Sequence, residues 1–260
     1  MFEIQNISKK YANRFVLKDI SVSFPQMSIT SLIGPNGAGK STLLMMMAKL
    51  ISPSSGKILL NGSDIEYIAF MDYAKKVATQ LQSLDNKFRL TVRELVEFGR
   101  FPYGKGSLNN QDKRIIEEAI DFLKLNEIAN EQLYELSGGQ KQMSYLAMAI
   151  AQDTPYLLLD EPLNNLDMKH SVELMQALNY LCTTKKKTII LVIHDINFAS
   201  NYSDYIVALK EGTIFAQGTP AEIIKNTTLS DLYGINFDIF QKNNSIFCNY
   251  FKQTEVYHEI

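Results

Sequence analysis

A glycine-rich segment that ends in lysine, serine and threonine carries the most specific chemical signal in this sequence. Residues 34–42 read GPNGAGKST, which fits the pattern G-x-x-x-x-G-K-[ST], and they lie between a strand-like run, ITSLI, and a helix-forming run, LLMMMAKL. Glycines there allow a tight turn with inward-pointing N–H groups, and the following helix adds its positive N-terminal dipole. The pattern predicts a polyphosphate site in which Lys40 reaches the β- and γ-phosphates and the Ser41 hydroxyl binds Mg²⁺. The nucleotide-binding residues predicted in this loop are Gly34, Pro35, Asn36, Gly37, Ala38, Gly39, Lys40, Ser41 and Thr42.

Two other apolar runs also end in polar side chains. The run YLLLD leads to Asp160 and Glu161, and the run TIILVI leads to His194. Ligands of open parallel sheets bind beyond the carboxyl ends of the strands, so these residues are expected beside the phosphate loop. We predict that Asp160 holds Mg²⁺, that Glu161 polarises the attacking water, and that His194 contacts the γ-phosphate. The alternatives are a helix cap for Asp160, a place in the outer shell of the metal for Glu161, and an ordinary strand-end histidine.

The elements that position these residues can be predicted from hydrophobic periodicity. FEIQNIS, FVLKDISVSF and SITSLIG alternate like antiparallel strands near the N-terminus. Thr91 and Glu94 form a capping box that opens a helix, NNQDKRIIEEAIDFLKL predicts a second helix, and FPYGKGS between them predicts a surface loop. YLLLD, TIILVI and YIVAL then alternate with helical stretches such as residues 168–181, which indicates a parallel sheet covered on both faces. The predicted fold class is therefore α/β, with an antiparallel N-terminal β subdomain and an inserted α-helical subdomain.

Composition limits the class of protein. The chain has 260 residues, 46% of them hydrophobic, and a net charge of −2, so it can fill a large core and lacks the basic footprint of a nucleic-acid binder. Cys182 and Cys248 stand apart from one another and from histidine pairs, which argues against a zinc site or a disulfide framework. The N-terminal residues lack the apolar core of a signal peptide, and TIILVI is too short to span a bilayer. We expect a soluble chain that reaches a membrane only through a partner.

A second anion-binding turn makes the prediction more specific. In LSGGQKQ, at residues 136–142, Ser137, Gly138 and Gly139 precede a helix, as the phosphate loop does. Together with the phosphate loop and YLLLDEP, this segment resembles the nucleotide-binding subunit of ATP-binding cassette (ABC) transporters over almost the whole chain. The resemblance implies a P-loop NTPase core that converts ATP and water to ADP and phosphate. It also implies one domain: a core at 1–82 and 151–217, a helical subdomain at 83–150 and a short C-terminal extension at 218–260.

The resemblance further assigns residues to roles. Tyr11 matches the aromatic residue that stacks on adenine, and Gln82 matches a loop glutamine that senses Mg²⁺ and the membrane partner. Gln80 competes for that role because TQLQ offers both glutamines, but the distance from Gln82 to TVREL fits the family better. Residues 164–167 match the loop that crosses a dimer. Through these motifs the resemblance adds further nucleotide-binding residues, namely Ser137, Gly138, Gly139, Gln140 and Asp167.

The family also implies partners. The resemblance implies that two copies bind head to tail, with each ATP between the phosphate loop of one chain and the Ser137 turn of the other. It further implies that integral membrane permease subunits bind the pair at the cytoplasmic face of the membrane, that an extracytoplasmic substrate-binding protein acts indirectly, and that no nucleic acid is a partner. RLTVRELVEFGRFPY and LDEPLNNLDMKHS look like the ATPases of ferric siderophore importers, particularly those for catecholate-type chelates. The alternatives are an importer of heme or cobalamin, an exporter, or a soluble ABC protein that acts on nucleic acid or ribosomes.

The permease is expected to dock on residues 83–103. This segment follows Gln82 and contains Phe88, Phe98, Phe101 and Tyr103. Charge reversal at Arg93 or Arg100 is expected to uncouple the ATPase from the transporter and to leave the basal activity of the free chain unchanged.

Overall fold

The structure is a computed structural model, and it describes residues 1–81, 89–104, 106–243 and 245–251. The strands are β1 (Phe2–Tyr11), β2 (Arg14–Phe24), β3 (Ile29–Ile33), β4 (Ser55–Leu60), β5 (Ser63–Asp64), β6 (Val77–Gln80), β7 (Tyr156–Asp160), β8 (Thr188–Val192), β9 (Tyr205–Lys210), β10 (Thr213–Gly218), β11 (Asp238–Lys242) and β12 (Ser245–Asn249). The α-helices are α1 (Lys40–Met47), α2 (Phe70–Ala74), α3 (Val92–Phe98), α4 (Phe101–Gly104), α5 (Asn110–Phe122), α6 (Gly138–Ala151), α7 (Met168–Thr183), α8 (Ile196–Tyr202), α9 (Pro220–Ile223) and α10 (Asn226–Tyr233).

The N-terminal sheet is antiparallel in the order β2-β1-β4-β5. Phe2 pairs with Phe24 and Ile4 with Val22, and these four apolar side chains are buried. This confirms the antiparallel prediction for β1 and β2. The prediction was wrong for β3, which lies in the second sheet. All five of its residues are buried, and a strand buried on both faces belongs inside a parallel sheet.

The second sheet has the order β10-β9-β3-β8-β7-β6. Its strands run parallel except β10, which pairs antiparallel with β9. Alternate residues of β8 point to opposite faces, so that Ile189 and Leu191 join one hydrophobic core while Ile190 and Val192 join the other. The predicted parallel sheet covered on both faces is therefore confirmed. Because β3, β8 and β7 are neighbours, their carboxyl ends lie side by side.

The described part of the region between β6 and β7 is mainly helical, and α3, α5 and α6 pack against one another. The predicted capping box is present, because the Thr91 side chain accepts from the Glu94 N–H and Glu94 accepts from the Thr91 N–H. Asn109 and Asp112 form a second box at the start of α5. Part of FPYGKGS, predicted as a surface loop, is instead the helical turn α4.

Arg100 was predicted to be available for charge reversal without effect on the free chain, and this was wrong. Its guanidinium lies 2.9 Å from the Asp112 carboxylate, with side chains only 6% and 2% exposed, and it also donates to the Ala151 carbonyl at 2.8 Å. The N–H of Asn109, together with the Arg100 guanidinium, lowers the pKa of Asp112 although burial opposes this. The pair ties α5 to the segment between α3 and α4.

Replacing Arg100 with alanine is therefore expected to destabilise the protein by about 3–5 kcal/mol, because Asp112 would remain buried without its partner. For a chain of this size, that loss corresponds to a fall in Tm of about 10 °C in a thermal unfolding experiment. Arg114→Ala is the matched control, since Arg114 pairs with Glu118 on the exposed surface of α5. That change is expected to cost about 0.5 kcal/mol or less. An equal fall in Tm for Arg100→Ala and Arg114→Ala would contradict the structural role of Arg100.

The C-terminal part of the chain also forms regular structure. Sequence patterns predict only a short extension there, whereas the structure has α9, α10 and a hairpin of β11 and β12. Cys182 and Cys248 are free thiols, both buried. Within the described ranges, no helix has the length and apolar character needed to cross a membrane.

Candidate nucleotide site

The phosphate loop runs from the end of β3 to the start of α1. Gly34, Gly37 and Gly39 have φ angles of 138°, 78° and 99°, in the region that side chains rarely adopt. A Cβ atom on Gly34 would lie 2.0 Å from the Leu209 carbonyl oxygen, and one on Gly39 would lie 2.5 Å from the Leu17 side chain. The backbone turns therefore favour glycine at all three positions, and close packing also requires it at Gly34 and Gly39. The pattern predicts the same glycines, and α1 begins directly after them.

Lys40 is buried at the first position of α1. Its ammonium group donates to the carbonyl oxygens of Gly34 at 2.7 Å and Pro35 at 3.0 Å. Burial lowers the pKa of Lys40, and the nearby charges of Glu161 and Asp160 partly offset that effect. The described partners of this cation are neutral carbonyl groups of its own loop. A phosphate oxygen would be a stronger partner for it, because hydrogen bonds between charged groups are shorter and stronger.

Ser41 and Asp160 form the next part of the site. The Ser41 hydroxyl donates to Asp160 Oδ1 at 2.9 Å, which joins the start of α1 to the end of β7. Asp160 is only 7% exposed, and burial raises the pKa of its carboxyl group. In the described residues, no cluster of three or more histidine, cysteine or acidic side chains could hold a metal on its own. One carboxylate and one hydroxyl nevertheless fit Mg²⁺, which takes few protein oxygens when phosphates and waters complete its shell.

Glu161 lies beside Asp160 in a strained conformation, with a φ of 52°. Its Oε1 is 2.6 Å from His194 Nε2, and its Oε2 accepts a hydrogen bond from the Asn164 amide. The three residues line a cavity of about 270 Å³ together with Leu166 and Asp195. The ends of β7 and β8 thus bring together the two residues predicted as water-activating base and γ-phosphate contact.

The Ser137 turn caps α6. The Ser137 hydroxyl accepts from the Gln140 N–H at 3.2 Å, and the Gln140 side chain accepts from the Ser137 N–H at 2.9 Å. Cβ atoms on Gly138 and Gly139 would each lie 3.2 Å from atoms of Asn165, so this turn packs against residues 164–167. Among the described residues, no hydrogen bond joins the turn to the phosphate loop. The turn predicted as the second half of the site therefore lies against residues 164–167 of its own chain.

The other predicted residues occupy different positions. Tyr11 is half exposed at the end of β1, with the Lys9 ammonium 5.0 Å from its ring centre. Asp167 caps α7 by accepting from the His170 N–H at 2.8 Å, and this hydrogen bond lowers the pKa of Asp167. Gln82 lies outside the described residues. The competing Gln80 is buried at the end of β6, and its amide donates to the Gln142 carbonyl of α6 at 3.3 Å.

Three residues near the site make contacts that were not predicted, although Asn164 belongs to the loop at 164–167 that the resemblance assigns to a dimer. The Gln142 amide lies 3.4 and 3.2 Å from the carbonyl oxygens of Glu161 and Pro162, which links α6 to the end of β7. Asn164 holds Glu161, and the Tyr233 hydroxyl contacts the N–H of Gly34. The motif LSGGQKQ contains Gln142, so a signal existed for that residue. No local pattern marks Tyr233, because its contact joins residues far apart in the chain.

Comparisons with known proteins agree on one family. Residues 17–164 match the family model described as ABC transporter. The petrobactin import ATP-binding protein YclP of Bacillus subtilis (strain 168) is 49% identical over 251 residues, covering 96% of this chain and 100% of that protein. The iron(3+)-hydroxamate import ATP-binding protein FhuC of the same organism is 42% identical, covering 88% of this chain and 86% of that protein. A dimeric ATP-binding cassette bound to ADP and Pi in a post-hydrolysis state is 28% identical with a TM-score of 0.77, covering 85% of this chain and 99% of that chain.

Proposed function

The chain belongs to the ABC transporter family, as an ATPase of that family, and on this premise we propose that it energises the import of ferric siderophores. The observation that carries the proposal is the meeting of Lys40, the Ser41–Asp160 pair and the Glu161–His194 pair at the neighbouring ends of β3, β7 and β8. The import relatives, 49% and 42% identical over most of the chain, support its cargo class.

The phosphate loop and Lys40 would bind the phosphates of ATP. Backbone N–H groups and the α1 dipole attract the negative charge, and Lys40 would exchange its carbonyl partners for phosphate oxygens. Ser41 and Asp160 would hold Mg²⁺, which when bound neutralises charge on the phosphate oxygens. Asp160 loses hydration by burial, so a cation beside it would recover part of that cost.

Glu161 would act as the group that orients and polarises the attacking water. In this structure both of its carboxylate oxygens are held, one by His194 and the other by Asn164. These contacts fix the side chain at the end of β7 next to Asp160, and water could reach it through the cavity that the three residues line. His194 would contact the γ-phosphate from the end of β8. Hydrolysis then depends on positioning more than on covalent chemistry.

Two copies of the chain would complete each site. The similar cassette bound to ADP and Pi is dimeric, and the Ser137 turn here contacts residues 164–167 of its own chain. We infer that this turn, with Gln140 and Asp167, contributes to the ATP held by the other copy. Closing the pair around ATP and opening it after hydrolysis would then shift the transporter between two states.

A groove of about 370 Å³ beside α3 and α4 is the proposed docking surface of the permease. Phe98 and Phe101, which are 54% and 50% exposed, line it together with Leu90 and Leu108. Glu94 and Glu97 also line the groove, and their negative charges favour a helix with basic residues. Exposed aromatic side chains of this kind commonly anchor protein partners. The proposed occupant is a cytoplasmic helix of the membrane subunit, which would place this chain at the cytoplasmic face of the membrane. Of the aromatic residues predicted here, Phe88 lies outside the described residues.

The proposed cargo is a ferric siderophore, and catecholate-type chelates are the leading candidates within that class. The segments RLTVRELVEFGRFPY and LDEPLNNLDMKHS support this class, and the relatives are named for petrobactin and for iron(3+)-hydroxamate. An extracytoplasmic binding protein and the permease would select the chelate, since this chain supplies only ATP hydrolysis. Importers of heme or cobalamin are the second candidate, because they use the same nucleotide motifs.

Uptake of radiolabelled iron tests the proposal. A strain lacking this chain is expected to lose uptake from at least one ferric siderophore and to regain it with the wild-type chain. Phe101→Asp is expected to restore little uptake while keeping the basal ATPase activity of the free chain, because a charge in the apolar groove disfavours docking. Tyr67→Asp is the matched control, since Tyr67 is exposed and is not among the described residues that line the groove.

Two results would contradict this account in different ways. If the deletion strain imports every tested iron chelate but fails to import an unrelated nutrient, the siderophore assignment is wrong and the ATPase assignment stands. If Phe101→Asp restores uptake as fully as Tyr67→Asp, the permease docks elsewhere.

A further inference from the structure

The described residues of the C-terminal part, 226–243 and 245–251, make contacts at two points, the phosphate loop and the helix that follows His194. At the first, the Tyr233 hydroxyl accepts a hydrogen bond from the Gly34 N–H at 3.2 Å. Tyr233 is the last residue of α10, and 199 positions separate it from Gly34. A tyrosine from the end of the chain therefore holds the first residue of the phosphate loop.

Other contacts also hold the backbone of Gly34 in place. The β3 ladder ends at Ile33, which pairs with Ala208, so the Gly34 N–H needs another acceptor. The Gly34 carbonyl accepts from Lys40 at 2.7 Å, and its Cα packs directly on the Leu209 carbonyl. Both polar groups of Gly34 are thus engaged, one by Tyr233 and one by Lys40. The position of the loop entrance depends on both contacts.

The second point is α8, which begins just after His194. Asn197 and Asn201, one helical turn apart, bind the backbone of β12. The N–H groups of Cys248 and Ile246 donate to these two side chains at 2.7 and 2.9 Å, and the asparagine amides donate back to the carbonyls of the same residues at 3.3 and 2.7 Å. The hairpin is therefore fastened to the helix that follows His194.

Aromatic packing joins the two points. Phe237 lies between Tyr233 and Tyr250, with ring centres 5.8 and 5.5 Å away, and it is buried. Burial raises the pKa of Tyr233 to about 12, so its hydroxyl keeps its proton at physiological pH. The C-terminal part of the chain therefore connects the phosphate loop with α8. This helix follows His194, the residue proposed to contact the γ-phosphate.

We propose that Tyr233 is a positioning residue for ATP binding, and that residues 226–243 and 245–251 clamp the phosphate loop to the helix after His194. The inference rests on the proposed ATP site. A segment that only stabilised the fold would change the unfolding temperature and leave the ATP affinity of the folded protein unchanged.

The test is the ATP affinity of Tyr233→Phe, measured by calorimetry with Mg·ATP. This change keeps the ring and its aromatic contacts and removes only the hydroxyl. The Kd for ATP is expected to rise about 3- to 10-fold, because the Gly34 N–H loses its acceptor. Tyr250→Phe is the matched control: it belongs to the same aromatic cluster, and no hydrogen bond in the described structure joins its hydroxyl to the phosphate loop. The Kd of Tyr250→Phe for ATP is expected to equal that of the wild type.

Asn197→Ala and Asn201→Ala test the other end of the clamp. They are expected to lower kcat more than ATP affinity, because the hairpin acts there through the helix after His194. An unchanged Kd in Tyr233→Phe, or equal weakening in Tyr250→Phe, would overturn the inference for Tyr233. A wild-type chain that fails to bind Mg·ATP in the same experiment would instead overturn the proposed function.

Discussion

Replacing Glu161 with glutamine is expected to preserve ATP binding and to lower turnover on the order of 10²-fold or more. Glutamine has the same shape and keeps a carbonyl oxygen for the Asn164 amide, so the site should retain its geometry. It cannot polarise water as a carboxylate does. Because ATP would then persist, the variant is expected to accumulate as an ATP-bound dimer, which sedimentation velocity with Mg·ATP can detect.

Lys40→Ala provides the comparison for this prediction. In the wild-type chain, the Lys40 ammonium group lies next to the Gly34 and Pro35 carbonyls, where phosphates are expected to bind. Losing it should weaken ATP binding itself by about 10- to 100-fold, since a charge-assisted contact disappears. If both variants lose binding equally, Glu161 and Lys40 do not have separate roles.

Replacing Ser137 with arginine is expected to reduce hydrolysis by about 10²-fold or more, with nucleotide binding to the single chain nearly intact. The reason is that the serine is proposed to act on ATP held by the other copy. Mixing this variant with Lys40→Ala subunits should rebuild at most one of the two shared sites. Phosphate release by the separate and mixed proteins measures both effects.

The control for this variant must account for helix capping. Ser137 caps α6, and losing such a cap costs about 1 kcal/mol on its own. Asn109→Arg removes the equivalent cap of α5 at an exposed position away from the site. It is expected to show a similar fall in Tm and normal hydrolysis. A similar loss of hydrolysis in Asn109→Arg would mean that helix destabilisation explains the Ser137 result.

Local sequence patterns were sufficient to predict which residues the fold brings together at the ends of β3, β7 and β8. The glycines of the phosphate loop have the positive φ angles that the motif requires, and the ends of YLLLD and TIILVI lie next to that loop. This worked because the carboxyl ends of neighbouring parallel strands meet at one sheet edge. The capping box of Thr91 and Glu94 depends on residues three apart and was equally predictable.

Contacts between distant residues could not be predicted in the same way. Arg100 looks like a surface charge in the sequence, and only the packing of α5 and α6 buries it beside Asp112. Tyr233 has no motif, because its partner Gly34 lies 199 positions away in the chain. Alternation placed β3 with the antiparallel strands, although its neighbours are β8 and β9. The proposed second copy of the chain likewise cannot be predicted from the hydrophobic periodicity of one chain.

The most direct measurement of the central claim is phosphate release by the purified chain with Mg·ATP over a wide range of protein concentration. If two copies build each ATP site, the rate per chain should rise with concentration and level off once dimers dominate, and Glu161→Gln should release almost no phosphate at any concentration. A rate per chain that is the same at every concentration, from a protein that remains monomeric, would contradict the shared site.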